Sequence, residues 1–150
     1  MCRNMIWTVC PVLIVVVLAN PVLAGNAIGP RIGTAGNSDE MFIGAQGEFG
    51  PAFDAATLVP GIDFGLGDEP PTIINFDLRY YLIRLPETGL RFYCSAGPSL
   101  QVGDESDLGL SLALGLNIPM KSLRRYNVEY RWGFGDIPDH KIGIAVMFGL

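Results

Sequence analysis

The chain has 150 residues, of which 49% are hydrophobic and 17% are charged, so its length suits one domain and its composition excludes a disordered chain. The net charge of −5 excludes the basic surface that a nucleic-acid-binding protein needs, and no nucleic-acid partner is predicted. The 19 glycines and 11 prolines indicate many turns and favour an all-β fold.

The first 24 residues have the pattern of a secretory signal peptide. Arg3 gives a positive start, residues 12–19 form an unbroken apolar run, and Val22 and Ala24 precede a predicted cleavage after Ala24. The apolar run is much shorter than the ~20 residues that a transmembrane helix needs, which argues against a membrane anchor of that kind. We therefore predict a signal peptide over residues 1–24 and a mature domain over residues 25–150.

Cysteine usage indicates an exported domain without disulfides. Cys2 and Cys10 lie in the predicted signal peptide, and Cys94 remains alone in the mature domain, so no internal disulfide can form there. Cys10 lies too early in the apolar run to mark a lipoprotein cleavage point. The sequence contains no zinc-type spacing of Cys and His, and we predict neither a metal site nor a cofactor.

Apolar residues alternate with polar or small ones through nearly the whole mature domain, which is typical of β-strands. Gly, Pro, Asp and Asn interrupt the alternation at intervals and indicate turns. Pro30 lacks the backbone N–H that a ladder needs, which favours a start of the first strand after this residue. The pattern predicts eight strands, over residues 28–35, 41–49, 58–67, 74–83, 90–101, 108–118, 126–135 and 142–150.

Eight such strands with short connections predict an antiparallel up-and-down β-barrel, and two kinds of barrel share this pattern. A soluble lipocalin-like carrier would turn its apolar faces inward, whereas a transmembrane barrel would turn them outward. The narrow interior of an eight-stranded barrel favours the second kind, because bulky side chains from every strand would overfill it. We therefore predict a transmembrane β-barrel whose small and charged residues point inward.

Nine charged residues fall on the predicted inward faces, five of them basic and four acidic. Because buried charges must be paired and hydrogen-bonded, this nearly balanced set predicts an ionic network that closes the lumen. The alternative is that these charges are unrelated and exposed on a soluble sheet. The predicted network members are Arg31, Glu48, Asp63, Asp77, Arg79, Arg91, Glu129, Arg131 and Lys141.

The predicted connections separate acidic from basic residues. An even number of strands places both termini at one end, and alternate connections lie at the other end. With Lys141 counted in the last strand, the first, third, fifth and seventh connections carry nine acids and no Lys or Arg. The acids are Asp39, Glu40, Asp68, Glu69, Asp104, Glu105, Asp107, Asp136 and Asp139. The other connections contain Asp54 and Glu87 together with Arg84, Lys121, Arg124 and Arg125. This sorting predicts two chemically distinct rims that face different aqueous compartments.

The signal peptide, the eight alternating strands and the ending together resemble small outer-membrane β-barrel proteins of Gram-negative bacteria. The ending is the most specific part, because Lys141, Gly143, Val146 and Phe148 before Leu150 are similar to the signal that the barrel-assembly machinery reads in that family. Leu150 stands where the usual last residue is aromatic. The resemblance implies a bacterial outer-membrane location with periplasmic termini. It also implies the assembly machinery, outer-membrane lipid and lipopolysaccharide as partners.

No recognisable motif connects His140, the only histidine, with Ser106 in another predicted surface loop. A barrel hydrolase or acyltransferase would combine Ser, His and an acidic or amide partner near the outer rim, so a lipid-modifying enzyme remains an alternative. We predict instead a protein without catalytic activity that has a structural or surface-interaction role. A small channel and a soluble periplasmic carrier also remain open.

Overall fold

A computed structural model of the chain describes residues 26–36, 40–53, 56–67, 70–103, 106–122 and 124–150. The predicted signal peptide, residues 1–24, lies outside these ranges. The described residues form eight strands: β1 (Ala27–Ala35), β2 (Glu40–Phe53), β3 (Ala56–Leu66), β4 (Thr72–Arg84), β5 (Arg91–Val102), β6 (Asp107–Pro119), β7 (Arg124–Phe134) and β8 (His140–Gly149). Within these ranges, no helix is long and apolar enough to cross a membrane.

Each strand pairs antiparallel with its neighbours in the chain, and β1 also pairs with β8, so the sheet closes into a barrel. This confirms the predicted all-β, eight-stranded antiparallel barrel. At the closure Ala27 lies opposite Gly149, and the N–H of Leu150 donates to the carbonyl of Asn26 at 3.0 Å. Closure therefore brings the two ends of the described domain side by side and leaves neither β1 nor β8 as a free edge.

The first strand covers the predicted range 28–35 and runs through Pro30, so it does not start after this residue as the missing N–H favours. In the ladder with β2, Pro30 lies opposite Ala45. In the ladder with β8, pairing stops after Ile28 and resumes at Arg31 in the same register. Because proline has no N–H to donate, β1 loses its pairing with β8 locally while its direction is unchanged.

Side chains alternate between the barrel interior and the outer surface, as the two-residue period of a strand requires. Along β6, Leu108, Leu110 and Leu112 are 72%, 63% and 42% exposed, whereas Ser111 and Ala113 are buried. The same alternation of exposed apolar and buried residues recurs on β8. The apolar faces therefore point outward and the polar faces inward.

We call the end of the barrel that carries both ends of the sheet the terminal end, and the other the opposite end. The connections β2–β3, β4–β5 and β6–β7 lie at the terminal end, and the remaining four lie at the opposite end. Of the predicted rim charges, the structure describes Arg84, Glu87, Lys121, Arg124 and Arg125 near the terminal end and Glu40, Asp107, Asp136 and Asp139 near the opposite end. Asp39, Asp54, Asp68, Glu69, Asp104 and Glu105 lie outside the described residues.

The connection between β7 and β8 folds back over the barrel at the opposite end. Ile137 in this connection is buried, although it belongs to no strand. A Cβ atom added to Gly109 or to Gly133 would lie 2.9 Å from Cγ1 of Ile137. The two glycines therefore leave the space in which the Ile137 side chain packs over the ends of β6 and β7.

Candidate functional site

Eight of the nine predicted inward-facing charges come together in the lumen of the barrel. Six strands contribute them, and each residue lies at an inward position of its strand because the alternation fixes its direction. Arg79 on β4 is fully buried, and Glu129 on β7 is nearly so. The buried charged residues are Arg31, Glu48, Asp63, Asp77, Arg79, Glu129, Arg131 and Lys141.

Among the carboxylates of the described residues, Glu129 faces the largest number of arginines. Its Oε2 atom accepts hydrogen bonds from Arg79 Nη2 at 3.0 Å and from the Tyr93 hydroxyl at 3.2 Å. Its Oε1 atom accepts from Arg131 Nη2 at 2.8 Å and lies 3.8 Å from Arg31 Nη2. A single carboxylate therefore faces three guanidinium groups, which come from three different strands.

The other buried carboxylates give each of these arginines a second partner. Each further carboxylate accepts from or faces another donor of a buried guanidinium group and so offsets part of the cost of removing that group from water. The pairs are Arg131 Nη2 with Asp77 Oδ2 at 2.5 Å, Arg31 Nε with Asp63 Oδ1 at 3.3 Å, and Arg79 with Glu48.

Near the terminal end, Glu48 binds a second arginine, which the sequence pattern assigns to a connection. Arg125 Nη2 pairs with Glu48 Oε2, and Asn127 Nδ2 donates to Glu48 Oε1 at 2.5 Å. Instead of lying in the sixth connection, Arg125 is the second residue of β7 and shares the inward face with Asn127 and Glu129. That shared alternation is the signal in the sequence that could have identified it.

Near the opposite end, two cations lie close to one aromatic ring. Lys141 Nζ donates to Asp63 Oδ2 at 3.0 Å. The ring centroid of Phe42 is 5.3 Å from the guanidinium carbon of Arg31 and 5.5 Å from Lys141 Nζ, distances at which cation–π attraction operates. Phe42 is buried, and the sequence pattern does not identify it because an apolar residue at an inward position breaks the predicted alternation.

Arg91 lies apart from the other predicted network members. It is the first residue of β5, it is half-buried, and its guanidinium carbon is 5.5 Å from the ring centroid of Tyr81. Among the described residues, no carboxylate lies within ion-pair distance of Arg91. The structure therefore brings together eight of the nine predicted residues and adds Arg125.

A tyrosine ring packs against the central arginine because one glycine leaves room for it. The guanidinium carbon of Arg79 lies 3.8 Å from the ring centroid of Tyr93. A Cβ atom added to Gly115 on β6 would lie 2.2 Å from Cζ of Tyr93. The lack of a side chain at Gly115 thus lets the ring lie between the β6 backbone and Arg79, with its hydroxyl on Glu129.

Neutral polar side chains complete the contacts between the charged residues. Arg131 Nη1 donates to Ser111 Oγ at 2.8 Å, and Ser111 donates in turn to Asp77 Oδ1 at 3.2 Å. Ser99 donates to Asn75 Oδ1 at 2.7 Å, close to the Asn75 contact with Arg131. These residues link the strands β4, β5, β6 and β7 through the lumen.

His140 and Ser106 do not form a catalytic arrangement with each other in the described part of the chain. His140 begins β8 on the outer surface, and its Nδ1 atom lies 3.0 Å from the Tyr130 hydroxyl. Ser106 is exposed immediately before β6 and shares no hydrogen bond with His140. The described residues also contain no group of three or more His, Cys, Asp or Glu side chains that could hold a metal ion.

The residues of the predicted assembly signal lie on the last strand and just beyond it. Lys141 and Gly143 occupy inward positions of β8, whereas the side chain of Phe148 points outward. Val146 is half-buried, and Leu150 follows β8 with an exposed side chain. The segment therefore alternates in the same way as the rest of the barrel.

The barrel is similar in fold to a solved bacterial β-barrel domain. The crystal structure of the N-terminal β-barrel domain of Pseudomonas aeruginosa OprF superposes with a TM-score of 0.69, covering 85% of this chain and 99% of that chain at 16% sequence identity. No family model and no curated protein matches the sequence. The similarity at this identity shows a shared fold, an eight-stranded antiparallel barrel of the kind that the OprF domain has.

Replacement of Glu129 by Gln is expected to lower the free energy of unfolding by about 3–5 kcal/mol, because three buried arginines lose the charge that they share. Denaturant unfolding in detergent micelles measures this change. The control Glu87→Gln removes the same charge from an exposed turn and should change the free energy by less than about 0.5 kcal/mol. Equal losses in the two variants would contradict the role given to Glu129.

Proposed function

We propose that the protein is an integral outer-membrane β-barrel without catalytic activity, with a structural or surface-interaction role and a lumen closed by its ionic network. The observation that carries this proposal is the inverted polarity of the barrel. Large hydrophobic side chains are exposed on every strand, whereas paired charges are buried inside. Soluble monomers rarely expose apolar patches larger than a few hundred Å², so an apolar surface around a whole barrel fits lipid better than water.

The height of the apolar surface fits the hydrocarbon core of a membrane. On β6, outward apolar residues extend from Leu108 to Ile118. At about 3.3 Å per residue and a strand tilt of about 40°, this segment spans about 25 Å along the barrel axis. Transmembrane barrels present an apolar band of about the same height to lipid.

Outward aromatic residues near both ends of the apolar surface support the same location. Transmembrane barrels carry aromatic girdles at the two membrane interfaces, where a ring can contact both hydrocarbon and headgroups. Near the terminal end these residues are Phe92, Tyr126 and Phe148, and near the opposite end they are Phe64, Trp132 and Phe134.

The lumen contacts support a closed barrel rather than a small channel. Arg79 crosses the interior between Glu48 and Glu129, and its side chain has no solvent exposure. Arg131 connects Glu129 with Asp77. An ion that passed through would have to displace these contacts, which stabilise each other in a narrow interior.

A soluble carrier and a lipid-modifying enzyme have less support from the described residues. A lipocalin-like carrier would need an apolar interior, but most of the buried residues of the barrel are polar or charged. An enzyme of this kind would need a base next to a nucleophile, but the contact of His140 is with Tyr130 on the outer surface. The proposal also includes the periplasmic position of the termini and the partners that the family resemblance implies. These partners are lipid, lipopolysaccharide and the assembly machinery.

In cells that express the full chain, the protein is expected to fractionate with outer membranes and to change its mobility on an SDS gel when the sample is heated. Folded barrels of this kind resist SDS because strand closure and the buried ion pairs hold the sheet together. Gels of heated and unheated membrane fractions measure both properties. Recovery with soluble periplasmic proteins and no heat-dependent shift would support the carrier instead.

The substitution Leu112→Arg is expected to lower the free energy of unfolding in lipid vesicles by about 2–4 kcal/mol, because it places a charge near the middle of the membrane. Leu108→Arg is the matched control on the same strand and face. It lies near the end of the apolar surface and should lower the free energy by about 0–1 kcal/mol. Two equal and small effects would show that the outer surface faces water.

In planar bilayers the reconstituted protein is expected to show no steady conductance, because the ionic network occupies the lumen. Single-channel recording measures this. The variant Arg84→Ala, which removes a charge outside the lumen, should behave like the parent protein. Steady openings whose conductance changes in Arg79→Ala would identify a channel and overturn the closed lumen.

A further inference from the structure

We propose that the terminal end of the barrel carries a docking site for the headgroup of an anionic phospholipid, formed by Lys121 and Arg124 beside the apolar outer surface. The inference rests on the proposed membrane location and adds to it a specific lipid contact. Three features of the barrel support this site: the shape of one turn, the contact of Arg124 with an aromatic ring, and the charge difference between the two ends.

The turn between β6 and β7 forms an open groove at the terminal end. The groove has a volume of about 640 Å³ and is lined by Pro119, Met120, Lys121, Ser122 and Arg124. Both cationic side chains are exposed, and Met120 is 49% exposed beside them. The groove therefore places two positive charges next to apolar surface, an arrangement that matches a phosphate attached to acyl chains.

Arg124 is held at the edge of the apolar surface by an aromatic residue. In the ladder between β7 and β8 it lies opposite Phe148, whose exposed ring points outward. The guanidinium carbon of Arg124 lies 5.7 Å from the centroid of that ring. This cation–π contact leaves the guanidinium at the level where a membrane changes from acyl chains to phosphates.

The charges of the described residues differ between the two ends in a way that favours this occupant. Among the described residues of the terminal end, Arg84, Arg91, Lys121 and Arg124 are accompanied by one acid, Glu87, while Arg125 is already paired with Glu48. The described connections and strand ends of the opposite end carry Glu40, Asp107, Asp136 and Asp139. Of the two ends, the terminal end is thus the one whose charge attracts a phosphate group.

The apolar surface beside the groove identifies the occupant as a lipid. From Phe148 the exposed apolar residues continue along β8 through Ile144 and Ile142, so a chain attached to the phosphate would lie along the barrel wall. A soluble polyanion would use the two charges but would leave this surface uncovered. The anionic phospholipid is the occupant that satisfies both features.

Native mass spectrometry of the protein extracted from membranes tests the site by titration with phosphatidylglycerol or with zwitterionic phosphatidylcholine. The parent protein is expected to bind one phosphatidylglycerol more tightly than phosphatidylcholine. The double variant Lys121→Gln/Arg124→Gln should weaken the binding of phosphatidylglycerol about thirtyfold at low salt, and the single variant Lys121→Gln about fivefold. Binding of phosphatidylcholine should stay the same in all of them.

The matched control is Arg84→Gln/Arg91→Gln, which removes two charges from a different part of the terminal end. This control should keep the affinity of the parent protein within about twofold. Equal weakening in the two double variants would show a diffuse charge effect and overturn the docking site. A parent protein without preference for phosphatidylglycerol would also overturn it.

The heat-dependent gel shift separates this inference from the proposed function. Each variant is extracted from membranes, and only protein that shows the heat-dependent shift is compared. Lys121 lies in a turn, so its substitution changes no strand residue. A parent protein that is found in membranes and shows the shift, but has no lipid preference, would refute the docking site alone. A parent protein absent from membranes would refute the proposed function as well.

Discussion

Every charge that the barrel encloses must be balanced by another enclosed charge, because an eight-stranded interior is too narrow to keep each ion hydrated. Removing one partner of a buried ion pair typically costs about 3–5 kcal/mol, so the members of the network depend on one another. Glu129 shows this dependence most clearly, since it joins arginines from β1, β4 and β7. Strands β5 and β6 contribute hydroxyl groups and the small Gly115, which give these long side chains the space that they need.

The alternation of residues is sufficient to predict eight strands and their faces, because each step along a strand reverses the direction of the side chain regardless of later contacts. Strand ends are harder to predict. Strand β2 continues to Phe53, although the alternation weakens at Gly50 and Pro51, because the pairing with β3 resumes after a register shift between Phe49 and Phe53. Strand β1 contains Pro30 because β2 pairs with it even where β8 does not.

The alternation predicts which charged residues face the lumen. It does not predict how deep each side chain lies or which partners it contacts. Arg125 falls in a predicted connection, yet it is the second residue of β7, faces inward and reaches Glu48. Arg91 has the predicted direction but lies at a strand end, where Tyr81 is its aromatic neighbour. Ile137 belongs to a loop, in which no period relates sequence to burial, so its position over the opposite end could not be read from a pattern.

Because β1 pairs with β8, the strand pairings do not require the chain to begin at β1 and to end at β8. Because Ala27 and Gly149 are neighbours, a short linker could join them, and the chain could then be opened at a hairpin turn elsewhere without removing a pairing between strands. A circular permutant of this kind would keep every interstrand ladder and every buried ion pair. The strand pairings therefore form a closed ring although the polypeptide is linear. The gap between β1 and β8 is one of eight geometrically comparable junctions between neighbouring strands.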